Sequence, residues 1–247
     1  MISYDLSIYE WFLVILCGML VGMSKTGLSG AGLFVVPVFA GIFGGKPSVG
    51  LVLPMLIVAD FFAVKYYNRH AEWKYVFKLL PWAFAGILIA FFVGENIDDR
   101  HFQILIVIVV LVGIALMVYQ DIRRKQVKVP DYWWFAALLG LSGGFATMIG
   151  NAAGPIMSLY LLSMRLPKNI YIGTGAWFFF IINLSKVPLH VFFWETITLE
   201  SLKFNLLMVI PITVGAISGF YLVKLIPEKA YRIFIILSTL ASAFALL

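Results

Sequence analysis

Uncharged apolar runs of bilayer length recur along the whole chain, and no other feature limits its fold as strongly. Phe102–Tyr119 is eighteen residues without Asp, Glu, Lys or Arg, and Phe204–Val223 is twenty. A helix rises 1.5 Å per residue, so about 20 such residues cross the hydrocarbon core. Between these runs no stretch is long enough for a water-soluble domain. Only 12% of the 247 residues are charged and 62% are apolar, whereas a soluble domain carries about 25% charge. A soluble fold of this composition could not cover its surface with polar groups, whereas a lipid-facing one has no need to. The chain therefore reads as an all-α polytopic membrane protein.

The net charge of +6 belongs to the same picture. Lys and Arg gather in the loops between spans, as they do on the cytoplasmic side of membrane proteins, so nucleic acid is not an expected partner and the lipid bilayer is. Met1–Glu10 contains Asp5 and Glu10 and no basic residue, unlike a cleavable signal. Cys17 is the only cysteine, which leaves no internal disulfide. No His/Cys cluster has metal-ligand spacing, so neither a metal nor another cofactor is expected.

Ten segments can be marked. Five precede the basic stretch Gln120–Asp131: Trp11–Met23, Leu33–Phe43, Ser48–Val64, Val76–Val93 and Phe102–Tyr119. Five follow it: Tyr132–Thr147, Ile156–Met164, Ile170–Val187, Leu202–Val223 and Tyr231–Leu247. The halves, 1–122 and 123–247, read as repeats. Gly18 and Gly22 match Gly140 and Gly144, Pro47 matches Pro167, and Ile97–Phe102 resembles Ile226–Tyr231. Internal duplication of this kind is common in transporters.

Loop charge orients the halves. Tyr66–Lys74, Gln120–Asp131 and Lys224–Arg232 are rich in Lys and Arg and are expected inside. Gly94–His101 and Pro188–Ser201 carry mainly acidic residues and are expected outside. Equivalent loops then lie on opposite faces, so the repeats are inverted, each half crosses an odd number of times, and both termini fall outside a cell membrane. The first two segments of each half look short for a full crossing. Each pair is expected to form a re-entrant helical hairpin, followed by three transmembrane helices. The alternative is that both arms span fully and their tips are surface turns. Irregular backbone at membrane depth is tolerated only where it lines a cavity.

The tips of these hairpins are the candidate substrate site. They read Ser24-Lys-Thr-Gly-Leu-Ser-Gly-Ala-Gly32 and Met148-Ile-Gly-Asn-Ala-Ala-Gly-Pro155. Helices starting near Leu33 and Pro155 would aim unpaired N–H groups at the tips, and helix N-termini favour anions. Gly27, Gly30, Gly32, Gly150 and Gly154 would let the backbone approach a ligand. Ser24, Thr26, Ser29, Thr147 and Asn151 offer neutral hydrogen bonds, and Lys25 offers fixed positive charge. Gly22-Met-Ser-Lys-Thr26 is not a phosphate-binding loop, because glycine does not precede the lysine and no strand precedes the motif. Elsewhere, Asp60, Lys65, Asn183 and Lys186 are polar groups inside spans. Such residues face the protein interior or a cavity by default, where they would couple or gate transport. Snorkelling to the headgroups is the alternative for both lysines. Asp60 is expected to pair with Lys25 or Lys65, or to carry a coupling proton. His70, His101 and His190 lie near loop ends and read as solvated or interfacial. Trp11, Trp73, Trp133, Trp134 and Trp194 read as an aromatic belt.

Gly22–Pro37, its second copy Gly140–Pro155, and the openings at Pro47 and Pro167 resemble the TauE/SafE sulfite exporter family, also called toluene sulfonate uptake permeases. The resemblance covers essentially the whole chain. The first tip departs from the family's fuller glycine run, with Ser29-Gly-Ala-Gly32. The resemblance implies a transporter of sulfur-containing anions such as sulfite, sulfoacetate or aryl sulfonates.

These readings converge on a secondary transporter of a small anionic substrate working by alternating access. Protons, another ion or the anion gradient would drive it, since no nucleotide-binding motif is present. A membrane enzyme would need a nucleophile with a base or a metal cluster, and neither pattern appears. A membrane scaffold would favour large cytoplasmic surfaces, and the loops here are short. A transporter of an unrelated small anion is the nearer alternative.

Overall fold

A computed structural model describes residues 6–26, 30–122, 132–164 and 166–222, together with positions 233, 236, 237 and 240. Among these the chain is helical: α1 Ile8–Thr26, α2 Ala31–Phe43, α3 Gly45–Tyr67, α4 Trp73–Glu95, α5 Asp99–Ile122, α6 Trp133–Gly150, α7 Gly154–Ser163, α8 Lys168–Phe192 and α9 Leu199–Leu222. A single 3-10 turn, Asn68–His70, links α3 to α4. Seven of the helices are long and apolar enough to cross a membrane. Large apolar side chains such as Phe77, Phe92, Leu206 and Ile210 point out of the protein, as lipid contact requires. The expected tenth segment, Tyr231–Leu247, and most of the loop Gln120–Asp131 lie outside the described residues.

Nine expected segments correspond to helices, most of them longer than the apolar run that marked them, and the change at α1 bears on the first hairpin. The apolar run Trp11–Met23 understates α1, which has 19 residues. A capping box explains the added first turn. Ser7 Oγ accepts the Glu10 backbone N–H at 3.3 Å while the Glu10 carboxylate accepts the Ser7 N–H at 2.8 Å, so polar residues begin the helix before the apolar run does. At the other end Ser24 and Thr26 turn their hydroxyls back onto Val21 and Gly22 carbonyls, which lets polar residues extend the helix within the membrane. The hairpins are therefore asymmetric. Their first arms, α1 and α6, have 19 and 18 residues. Their second arms, α2 and α7, have 13 and 10, or about 20 and 15 Å at 1.5 Å per residue.

Three helix pairs organise the bundle. Helices α1 and α9 run side by side in the same direction: Trp11 meets Phe204, Gly18 meets Pro211, and Gly22 meets Ala216. Helices α4 and α6 do the same, with Gly140 beside Leu79 and Gly144 beside Ala83. A Cβ on Gly22, Gly86, Gly144 or Gly215 would fall on a backbone carbonyl of the facing helix. Without a side chain the backbones can touch, as small residues allow in membranes. The matched pairs Gly18/Gly22 and Gly140/Gly144 thus serve the same kind of contact in the two halves.

The third pair, α3 with α8, is antiparallel. Gly50 lies against Thr196, Asp60 against Asn183, and Ala63 with Val64 against Ala176. Two apolar clusters fill the space around this crossing. One joins α1, α2, α3 and α9, and the other is built largely from α4 to α8. The join between α2 and α3 is held from α5, where the Asp99 carboxylate accepts the N–H groups of Gly45 and Lys46, each at 3.0 Å.

A candidate anion site where the two hairpin tips meet the central helices

The first tip follows α1 and leads into α2 through Gly30, whose φ of +100° is left-handed and accessible chiefly to glycine. Gly27 and Ser29 lie outside the described residues. At the end of α1, Lys25 reaches into the centre of the protein. Its Nζ stands 2.9 Å from Asp60 Oδ1 and 4.1 Å from the centre of the Phe179 ring. Asp60 is fully buried in α3, and its other oxygen, Oδ2, accepts the Asn183 amide at 2.6 Å. The Lys25 contact is an ion pair at hydrogen-bond distance, so both carboxylate oxygens have a partner.

The second tip closes α6. Asn151 adopts φ +52°, its N–H bonds Thr147 O, and the Ala152 N–H bonds Ala146 O. This left-handed cap satisfies carbonyls that the helix end would leave open. The Asn151 side chain is also fixed: its amide donates to Val49 O of α3 at 3.1 Å, and its oxygen accepts Lys186 Nζ at 2.7 Å. Lys186 gives its other two hydrogens to Thr147 O at 3.0 Å and Thr147 Oγ1 at 2.9 Å. The ammonium therefore sits at the C-terminal end of α6, where the helix dipole favours a cation.

Burial makes this arrangement costly unless something balances it. Asp60 and Lys186 are both 0% exposed. Lys186 bonds only neutral oxygens, and Asp60 is already shared with Lys25. With both lysines protonated and Asp60 ionised, two ammonium groups and one carboxylate leave one positive charge in excess. An uncompensated buried ion costs several kcal/mol, and an anion brought to the same place recovers part of that. Open space adjoins two tip glycines: a Cβ on Gly154 would meet nothing within 4 Å, and one on Gly32 only Ser24 Oγ at 3.8 Å.

Residues 14–246 match the family model described as sulfite exporter TauE/SafE. The chain belongs to this family. Its helices and its family place it among multi-pass membrane transporters. No curated protein and no solved structure matches the chain.

Within this TauE/SafE protein, the residues expected at the site divide clearly. Lys25, Asp60 and Asn183 come together through direct contacts, as do Asn151 and Lys186, and α8 carries Asn183 and Lys186 one turn apart. Ser24 and Thr26 spend their hydroxyl hydrogens on their own helix. Gly150 packs in ordinary contact with Val36. Lys65 is exposed near the end of α3 and stands apart from the cluster, whereas Lys186 does not snorkel at all.

His190 is a correction. It is fully buried, with Nδ1 2.7 Å from Thr196 Oγ1 and its ring edge-on to Trp194. Trp194 is buried too, stacked on Phe91, rather than part of an aromatic belt. Both were misplaced because α8 continues through Pro188 to Phe192, and the chain then folds back over its own end. Phe179 and the Val49 carbonyl are site groups that sequence reasoning missed. No spacing marks a phenylalanine that underlies a lysine from another helix, and a backbone carbonyl leaves no trace in a sequence.

Proposed function

We propose that the protein is a secondary transporter of a small sulfur-containing anion, sulfite or an organosulfonate, working by alternating access in the cell membrane. The observation that carries this reading is Lys186, fully buried and hydrogen-bonded only to neutral oxygens, one helical turn from Asn183, which bonds a carboxylate already shared with a second lysine. The anion is held between Lys25 and Lys186. Asn151 orients it and Asp60 positions Lys25 between turnovers. The parallel pairs α1/α9 and α4/α6, and the antiparallel pair α3/α8, are what two inverted repeats with both termini outside would produce. They support rocking of one half on the other about the α3/α8 crossing.

The test is uptake of labelled sulfite into proteoliposomes, with Lys25→Ala and Lys186→Ala alongside the parent protein. Saturable uptake that either substitution reduces by about tenfold or more, the effect of losing one charged hydrogen bond, is the expected result. Saturable uptake unchanged in both variants would move the site elsewhere. No uptake of sulfite or any sulfonate by folded protein would reject the reading.

A further inference from the structure

The α3/α8 crossing carries more information than its charge. Asp60 can only accept hydrogen bonds, so the Asn183 amide nitrogen must face it and the amide oxygen must face away. That oxygen, Asn183 Oδ1, is buried without a hydrogen-bond partner, whereas Asp60 Oδ1 has the Lys25 ammonium at 2.9 Å. Asn183 is 1% exposed and Asp60 0%. One acceptor thus lies at the crossing with no hydrogen supplied to it. A buried polar atom left unpaired costs on the order of 1–3 kcal/mol, so such atoms usually have a partner in some working state. Lysine donors stand at the same place, Lys25 from α1 and Lys186 one turn along α8.

Resting on the transporter reading above, we propose that the site selects an anion of single negative charge that brings a hydrogen-bond donor of its own. Hydrogensulfite and hydroxyl-bearing sulfonates belong to this class, and sulfate does not. The charge follows from the count at the crossing: Lys25 and Lys186 against Asp60 leave one positive charge, which one monoanion neutralises. A dianion would replace an excess cation with an excess anion in the same low-dielectric place. The donor follows from the unpaired Asn183 oxygen. A fully deprotonated oxyanion would set its own lone pairs against it, while an O–H on the anion would satisfy it.

The experiment is a competition and uptake panel in proteoliposomes at one pH. Methanesulfonate against sulfate isolates charge. 2-Hydroxyethanesulfonate against propane-1-sulfonate isolates the donor, since the two match closely in size and charge. The expected result is methanesulfonate favoured over sulfate, and the hydroxyl compound favoured over its alkyl partner by about tenfold, the effect of satisfying one buried, unpaired acceptor. Asn183→Leu should erase the hydroxyl preference and keep the charge preference. Asp60→Asn should move selectivity towards sulfate.

The parent protein alone decides the matter even where a variant does not fold. Sulfate handled as well as methanesulfonate would overturn the charge rule while leaving the transporter reading intact. Equal handling of the hydroxyl and alkyl compounds would overturn the donor rule, and sodium-dependent uptake with that equality would assign the Asn183 oxygen to a cation. Silence across the panel with labelled sulfite still taken up would overturn this inference alone, and silence for sulfite as well would reject the transporter reading.

Discussion

Asn183 donates its side-chain amide to Asp60 across 2.6 Å, and this bond joins two otherwise separate lysine sites. On the α3 side Asp60 holds Lys25, which ends the first arm of the first hairpin. On the α8 side, three residues from Asn183 and on the same helix face, Lys186 holds the end of α6. Both hairpin tips are therefore tied to one crossing point. A movement that opens one tip must either break the Lys25–Asp60 contact or carry α8 with it, which is a physical route by which occupation of the site could be felt on both sides.

Breaking the Lys25–Asp60 pair from one side only should be costly. Lys25→Met leaves the Asp60 carboxylate buried with the Asn183 amide as its hydrogen-bonded partner, and Asp60→Asn leaves Lys25 without its counter-charge. Losing one member of a buried pair typically costs about 3–5 kcal/mol, whereas replacing both with neutral groups can be close to neutral. The double variant Lys25→Met/Asp60→Asn should therefore melt closer to the parent protein than either single variant does. A double variant whose loss equals the sum of the two singles would mean that the pair contributes nothing as a pair.

Glycine contacts between the halves make a second prediction. Gly22→Ala and Gly144→Ala each place a methyl group on a facing backbone carbonyl, Ile212 O and Ala83 O respectively. Neither helix can yield without moving its backbone, so each change should cost about 1–3 kcal/mol, as overpacking does. Gly41→Ala is the control, since nothing lies within 4 Å of its added Cβ. It sits inside α2 with ordinary helical geometry, where alanine is favoured by up to about 1 kcal/mol. Thermal melting in detergent should rank Gly41→Ala at or above the parent protein and the other two below it.

Asp99 should behave as a helix cap supplied from a neighbouring helix. Its two carboxylate oxygens accept the first N–H groups of α3, just after Gly44 turns the chain with φ +90°. Asp99→Ala should cost about 1 kcal/mol, the usual effect of losing a cap. Faster hydrogen exchange at Gly45 and Lys46, with little change at Asp60, would separate this from general unfolding. Unchanged exchange at those two amides would rule the cap out.

The neighbouring Asp98 gives an acid-range prediction. Hydrogen bonds from the His101 backbone N–H and ring hold its carboxyl below the ordinary aspartate value of 3.8. A carboxyl lowered by folding stabilises the protein fully above that value and ceases to do so as pH falls through its folded-state value. Asp98→Asn should thus lower the melting temperature slightly at pH 7 and leave it unchanged at the acid end of the window. The group is fully exposed, so the shift will be small. A larger effect in acid than at neutrality would contradict the assignment.

How much of this was legible in the sequence depended on whether a feature left a pattern. Helices did, because an uncharged run of eighteen or more residues has few other uses. The paired glycines did, since Gly18/Gly22 and Gly140/Gly144 keep the same spacing. Lys25 and Asp60 could be suspected as partners because a lone charge within a span needs one. What left no pattern was contact across chain distance. Lys186 and Asn151 are 35 residues apart, and nothing in their neighbourhoods marks them as partners. His190 misled because its place near a predicted loop said nothing of Trp194 folding back to cover it.

Lys186 offers the sharpest separation of stability from function. Lys186→Met removes an ammonium that is buried with no carboxylate bonded to it and substitutes a flexible apolar chain of comparable length. Relieving an uncompensated buried charge stabilises by several kcal/mol. Against this, Thr147 O, Thr147 Oγ1 and Asn151 Oδ1 each lose a donor. Thr147 O keeps the Asn151 N–H, so the uncompensated loss falls on two oxygens, at about 1–3 kcal/mol each. The terms are of similar size and opposite sign, so the variant should melt within a few degrees of the parent protein while losing sulfite uptake. If Lys186 served only to cap α6, the same substitution would lower stability and leave uptake by the surviving folded protein unchanged. Measuring melting and uptake on the same purified sample distinguishes the two, because a purely structural lysine and one kept for an anion predict opposite halves of the result.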